Sequence, residues 1–204
     1  MIYTGYNLPL SLATCDELAT EWDQSSCSGG VFMENVTPSL GSTTEWLKDD
    51  DPVYPCKRHK YYCYLMVTSR ILEVNGYDWE ETRATCRGVE NDWVAICFQS
   101  YGRDASGFTR QDPAEIVRLC RLAGRWESDC VYGAARDITS NDAGAKRARV
   151  LCERAPDPLR GTCFNGIGTI LSGLSASEDE VRAACAAATT RNLSACLQGA
   201  GLAS

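Results

Sequence analysis

The chain has 204 residues and a formal net charge of −7 at neutral pH, with 44% hydrophobic and 23% charged residues. This composition is typical of a globular protein and excludes a disordered chain, in which apolar residues are scarce. The negative charge argues against nucleic acid as a partner, because phosphate binding needs a basic surface. No apolar run approaches the roughly 20 residues of a transmembrane helix, so we expect no membrane span.

Twelve cysteines are spread along the chain, and no two of them are spaced as Cys-x-x-Cys. That spacing excludes the thioredoxin-type redox motif, the zinc knuckle, the usual iron–sulfur patterns and the haem-attachment motif. An even number of widely spaced cysteines indicates structural disulfides, which persist in oxidising compartments. We therefore expect an extracytoplasmic protein that is periplasmic, attached to the cell surface or secreted.

The cysteines recur as close pairs at an interval of about 33 residues, the length of two short helices and two turns. In five pairs the separation is 10 to 12 residues, which spans a helix end, a turn and the next helix start. We predict that each pair closes on itself and leaves no free thiol. The six pairs are Cys15 with Cys27, Cys56 with Cys63, Cys86 with Cys97, Cys120 with Cys130, Cys152 with Cys163, and Cys185 with Cys196.

Helix-capping residues stand eight positions before the first cysteine in four of the six units. Their side-chain oxygens can accept hydrogen bonds from the backbone N–H groups of a first helical turn. Each first helix should then carry its cysteine about two turns in, and a second helix should begin near the second cysteine. The four capping residues are Asn7, Asp78, Asp112 and Ser177.

The second unit departs from this pattern. Pro52 and Pro55 precede Cys56, which predicts a short or distorted first helix there, because proline removes a backbone donor and crowds the preceding turn. The segment before these prolines, about 36–55, is predicted to be an irregular linker or insertion. The repeat resumes directly after it, so we expect one domain over 1–204.

Glycine stands three positions after the second cysteine in four units, at Gly30, Gly133, Gly166 and Gly199. Glycine inside a helix costs about 1 kcal/mol relative to alanine, so its recurrence indicates a compensating close approach. We expect that it lets the two helices of one hairpin close together. The predicted fold is an all-α solenoid of about six disulfide-closed helical hairpins.

Three segments, CSGGVFMEN (27–35), CYLMVTSR (63–70) and CFQSYGRD (97–104), resemble a family of bacterial extracytoplasmic cysteine-rich helical-repeat proteins of uncharacterised function. The likeness covers nearly the whole chain. Members of that family carry a His-Gly-x-Gly-His stretch upstream of the residues that match Met1 to Leu8. Its absence here implies a truncated or processed N-terminus and the loss of any histidine-based site. The architecture is also similar in design to disulfide-linked Sel1-like and tetratricopeptide-type repeats, without their consensus residues.

Charged residues recur six or seven positions after the second cysteine and should align along one face of the stack. If they do, charges would alternate from unit to unit, with Glu34 near Arg70 or Arg103 and Asp104 near Arg136. We interpret this row as a structural ladder; the alternative is a polar groove for an anionic or carbohydrate ligand. The predicted ladder or binding face comprises Glu34, Asn35, Arg70, Arg103, Asp104, Arg136 and Asp137.

His59 is the only histidine, and it lies among basic residues between Cys56 and Cys63. We interpret it as part of a solvated turn rather than as a general base or metal ligand, because no second histidine exists to complete either site. We therefore predict no catalytic residue, no metal and no cofactor. The function favoured is a non-catalytic interaction or structural protein with a protein partner, such as an accessory subunit of a larger surface or membrane-associated assembly. The alternative is an enzyme or a metal- or cofactor-binding protein whose site is completed by residues upstream.

Overall fold

A computed structural model describes residues 1–37, 44–57, 59–142 and 144–202. Within these ranges the chain forms twelve α-helices and no β-strand, as the sequence predicts. Two compact units divide the chain, Met1–Ser100 and Tyr101–Ser204, and the division falls inside one helix. The prediction of a single domain over 1–204 stays a prediction.

The first unit contains five complete helices and the start of a sixth. They are α1 (Leu8–Asp16), α2 (Glu21–Val36), α3 (Lys60–Tyr64), α4 (Thr68–Val74), α5 (Trp79–Gly88) and the beginning of α6 (Val94–Phe108).

The irregular second hairpin has a short 3-10 turn, Tyr54–Lys57, in place of a first helix. This confirms the distortion predicted from the prolines. Part of the predicted linker, 38–43, lies outside the described residues. Of the described remainder, 36–37 forms the end of α2 and its C-cap, 44–53 consists of turns and bends without a helix, and 54–55 belongs to the 3-10 turn.

The second unit contains the end of α6 and six further helices. They are α7 (Pro113–Leu122), α8 (Glu127–Ser140), α9 (Lys146–Arg154), α10 (Asp157–Leu174), α11 (Glu178–Ala188) and α12 (Leu193–Gly199). The second helix of each hairpin packs on the second helix of the next, so that α8 lies against α10 and α10 against α12. The first helices α7, α9 and α11 pack beside them. Contacts between successive hairpins are the pattern expected of a helical repeat.

The helix starts are fixed by the capping residues identified from the sequence. Asn7, Asp78, Asp112 and Ser177 each accept hydrogen bonds from first-turn backbone N–H groups of α1, α5, α7 and α11, which confirms the four predicted starts. One further cap was not predicted: Thr20 accepts from Asp23 N at 3.1 Å at the start of α2.

All twelve cysteines are paired at disulfide distance within their own hairpins, with the pairing that the spacing predicts. Their Cα–Cα distances lie between 5.1 and 5.7 Å, and no free cysteine remains. In the chain-entropy model, closing a loop of this length stabilises the fold by about 3 kcal/mol. Short helices that bury little apolar surface can thus persist in these hairpins.

Two of the four repeated glycines, Gly166 and Gly199, bring neighbouring hairpins together, which corrects the expectation that they close one hairpin. A Cβ on Gly166 of α10 would lie 2.9 Å from the carbonyl oxygen of Tyr132 in α8. A Cβ on Gly199 of α12 would overlap the carbonyl oxygen of Asn165 in α10 and lie 2.7 Å from its carbonyl carbon. Gly30, by contrast, has open space around it.

A second small residue, five positions after the second cysteine, completes this contact. A Cβ on Gly102 would overlap the carbonyl oxygen of Cys130, and one on Gly168 would overlap that of Cys196. In the first unit Thr68 stands five positions after Cys63 and Ser100 three positions after Cys97, and their hydroxyl oxygens lie 2.5 Å apart. In the second unit, small residues three and five positions after the second cysteine therefore mark a backbone-to-backbone seam between successive second helices.

Candidate functional site

In the second unit, polar side chains of three successive second helices lie close together and half-buried, and we call this group the polar strip. It contains four of the predicted residues and two that sequence reasoning missed. α6 supplies Arg103 and Asp104, α8 supplies Tyr132, Arg136 and Asp137, and α10 supplies Thr169. The side-chain contact between α8 and α10 joins different positions of the repeat, because Thr169 stands six residues after Cys163 and Tyr132 only two residues after Cys130.

Arg103 and Asp104 form an ion pair within the strip. Nη2 of Arg103 donates to both carboxylate oxygens of Asp104, at 2.8 and 3.0 Å, and Nε donates to Oδ1 at 3.1 Å. The two side chains are only 22% and 16% exposed. A guanidinium that engages a carboxylate through two nitrogens is held in one orientation, so this pair presents a fixed surface rather than a mobile one.

Asp137 lies beside this pair on α8. Burial raises the pKa of its carboxyl above the ordinary value of 3.8, and the negative charge of Asp104 adds to the increase. The Ser106 hydroxyl and the positive charge of Arg103 act in the opposite direction and lower this pKa, without cancelling the effect of burial. The carboxyl therefore retains its proton at a higher pH than an exposed aspartate does.

Arg136 extends the strip toward α10. Its guanidinium carbon lies 5.5 Å from the centre of the Tyr132 ring, and the Tyr132 hydroxyl lies 3.1 Å from Thr169 Oγ1. The buried Nε–H of Arg136 has no acceptor among the described residues. Sequence reasoning missed Thr169, because an uncharged hydroxyl does not continue a pattern of charges. A hydroxyl at Thr169 continues the strip where the charges stop.

The predicted site residues of the first unit have separate partners. Tyr6 donates to Glu34 at 3.1 Å. The buried Asn35 accepts from Thr44 Oγ1 at 3.1 Å.

Arg70 forms ion pairs with Asp49 and, at 2.8 Å, with Glu73. The partner Asp49 was not predicted, because it lies 21 residues away beyond an irregular segment. The proposed alternation of Glu34 with Arg70 or Arg103, and of Asp104 with Arg136, stays a prediction.

His59 is not the solvated turn residue that was expected. Its side chain is 18% exposed, and Nε2 lies 3.6 Å from Oδ2 of Asp16. Its backbone adopts the left-handed conformation, with φ of 50°, at the start of α3. Sequence reasoning could not find the Asp16 contact, because 43 residues separate the two side chains.

The described residues contain no group of three or more His, Cys, Asp or Glu side chains arranged to hold a metal ion. None of the helices in this part of the chain is both long enough and apolar enough to span a bilayer. The polar strip offers a mixed set of donors and acceptors, two carboxyls and two guanidiniums, on a rigid backbone.

Comparison of the chain with protein-family models, curated proteins and solved structures finds no match.

Proposed function

We propose that this chain is a non-catalytic extracytoplasmic interaction protein, an accessory subunit that binds a protein partner through its polar strip. We further propose that its hairpins build a solenoid of six repeats and that it belongs to the bacterial cysteine-rich repeat family that it resembles. Six local disulfide pairs support an oxidising compartment.

One observation carries the proposal. Tyr132 of α8 contacts Thr169 of α10, and the charges of Arg103 and Asp104 on α6 act on Asp137 of α8. The buried Arg136 Nε–H nevertheless has no acceptor among the described residues. A buried donor without an acceptor costs about 1–3 kcal/mol, so an acceptor supplied by a bound partner would recover that energy. Charged groups held on stacked helices also make partner recognition specific, because a wrong partner leaves them unpaired.

The proposal is tested by isolating the protein with its partner from the native source and measuring the affinity of the purified pair. We expect Arg136→Gln to weaken binding by about tenfold, the equivalent of one charge-assisted hydrogen bond. Arg121→Gln is the matched control, because it removes the same charge from the exposed side of α7. Circular dichroism and thermal unfolding of both variants separate loss of binding from loss of fold.

Two results would contradict the proposal. One is equal affinity of Arg136→Gln and the wild-type protein for the partner. The other is turnover of a substrate that depends on Asp137, which would favour the alternative that the chain is an enzyme. Asp137 is the residue to vary in that test, because perturbed carboxyls are the usual acids and bases of active sites.

A further inference from the structure

A cleft of about 360 Å³ lies in the second unit, between α9, α10 and the loop that joins α11 to α12. Three arginines line it, Arg149, Arg160 and Arg191, together with one acidic residue, Glu153. The buried side chain of Phe164 and residues 186–192 complete the lining. Its volume lies in the range of small-molecule sites, roughly 300–1,000 Å³.

The cleft is positively charged although the protein carries a net charge of −7. The segment 146–160 alone holds five basic side chains and two acidic ones, a local charge of +3. Within the cleft, three guanidiniums and one carboxylate leave a charge of +2. This concentration of arginine in an acidic chain attracts an anion of about two charges.

The guanidiniums of the cleft are available to a ligand. Arg191 makes no hydrogen bond or ion pair with any residue that the structure describes, and its side chain is exposed. Arg149 pairs with Glu153 at 2.8 Å, and both side chains are about half exposed, at 50% and 54%. Exposed ion pairs of this kind contribute little, so an anion can displace Glu153.

Arg160 is held in place by the protein. Its Nε donates to the Ala155 carbonyl oxygen at 3.1 Å, and Nη1 contacts Asp157, which is 83% exposed. A backbone acceptor orients the guanidinium, while the Asp157 pair is too exposed to block it. The loop adds hydroxyl and amide groups from Thr189, Thr190 and Asn192, which can donate hydrogen bonds to oxygen ligands.

We infer that this cleft binds a phosphate monoester of a small organic molecule. A phosphate monoester carries nearly two negative charges at neutral pH and presents three acceptor oxygens, which match the charge and the separate guanidiniums of the cleft. Phe164 and the alanines of 186–188 supply an apolar wall for the organic group. This site is separate from the polar strip, and the inference does not rest on the proposed function.

The test is a titration of the whole chain with phenyl phosphate, inorganic phosphate and benzoate, followed by NMR chemical-shift changes at Thr189 to Asn192. We expect saturable one-to-one binding of phenyl phosphate that is tighter than binding of the other two probes. Inorganic phosphate lacks the apolar group, and benzoate has a single charge. Tighter binding of benzoate would overturn the assignment to a phosphate monoester, and the absence of saturation would overturn the site itself.

Charge-matched variants separate a built site from general attraction. Arg191→Gln should weaken phenyl phosphate binding about tenfold, whereas Arg118→Gln on α7 should leave it unchanged. Glu153→Gln should tighten binding several-fold, because it removes the competing carboxylate from Arg149, while Glu115→Gln should have no such effect. Arg118 and Glu115 form an equivalent exposed pair at 2.8 Å, which makes them suitable controls. Equal effects of the cleft variants and the α7 variants would overturn the inference.

Discussion

Replacing Gly168 by alanine tests the backbone seam between α10 and α12. A Cβ at this position would overlap the carbonyl oxygen of Cys196, and it would lie 2.8 Å from that carbonyl carbon and 3.1 Å from Ala200 N. All three are backbone atoms, so no side-chain rotation relieves the overlap. To reach ordinary van der Waals separation, α12 must move by roughly 1 to 1.5 Å.

The expected loss of stability follows from two opposing terms. Overpacking of a close contact costs typically 1–3 kcal/mol, and overlap with a backbone belongs at the upper end of that range. Alanine also gains about 1 kcal/mol over glycine in helix propensity. We therefore expect Gly168→Ala to lower the free energy of unfolding by about 2 kcal/mol.

Gly173→Ala is the matched control on the same helix. Gly173 is exposed, and a Cβ there would meet nothing within 4 Å. The control should therefore stabilise the protein by up to about 1 kcal/mol, the gain in helix propensity. The assay is urea unfolding of the oxidised protein, followed by far-ultraviolet circular dichroism and compared by transition midpoints. Equal stability of the two variants would refute the seam.

Three further predictions concern single hairpins and single charges. Asp137→Asn should raise the free energy of unfolding at pH 7. The pKa of Asp137 is higher in the folded protein than its ordinary value of 3.8. The free energy of unfolding of the wild-type protein therefore falls as pH rises from 3.8 through the folded-state pKa. The difference in unfolding free energy between Asp137→Asn and the wild-type protein should vanish below about pH 3. A difference that persists there in urea titrations would contradict ionisation of Asp137 as its cause. Asp142→Ala should lower the free energy of unfolding by about 1 kcal/mol at neutral pH, because Asp142, which precedes the N-cap residue Ala145, accepts from the first-turn Arg147 N of α9 at 3.0 Å. That N–H lowers the pKa of Asp142, so the loss should shrink in thermal melts as pH falls below 3.8. Replacing Cys152 and Cys163 together by alanine should lower the unfolding free energy, measured by calorimetry, by about 2–4 kcal/mol. An unchanged unfolding free energy would show that this disulfide does not stabilise the protein.

Local features of this fold could be read from the sequence because their causes are local. Asn7, Asp112 and Ser177 cap helices through hydrogen bonds to residues two or three positions away. Pro52 and Pro55 disturb the second hairpin through their own missing donors. The cysteine spacing likewise indicates hairpins, because each pair is separated by little more than one turn and two helix ends.

The nonlocal features were missed or misassigned. Recurrence of glycine indicates a close contact but does not name the partner, and the partner of Gly166 and Gly199 lies in the preceding hairpin. The ion pair of Arg70 with Asp49 and the contact of His59 with Asp16 cross 21 and 43 residues of chain. No helical period or capping rule links positions so far apart, so only the folded chain brings them together.

Thiol trapping followed by non-reducing peptide mapping of protein from its native source tests most directly the claim that this is an extracytoplasmic array of disulfide-closed hairpins. Thiols are blocked at the moment of lysis, so that the redox state of the native compartment is preserved. We expect no blocked cysteine and six linked peptide pairs, each within one hairpin. Alkylated cysteines in the freshly isolated protein, or a bond between hairpins such as Cys97 to Cys120, would contradict the claim.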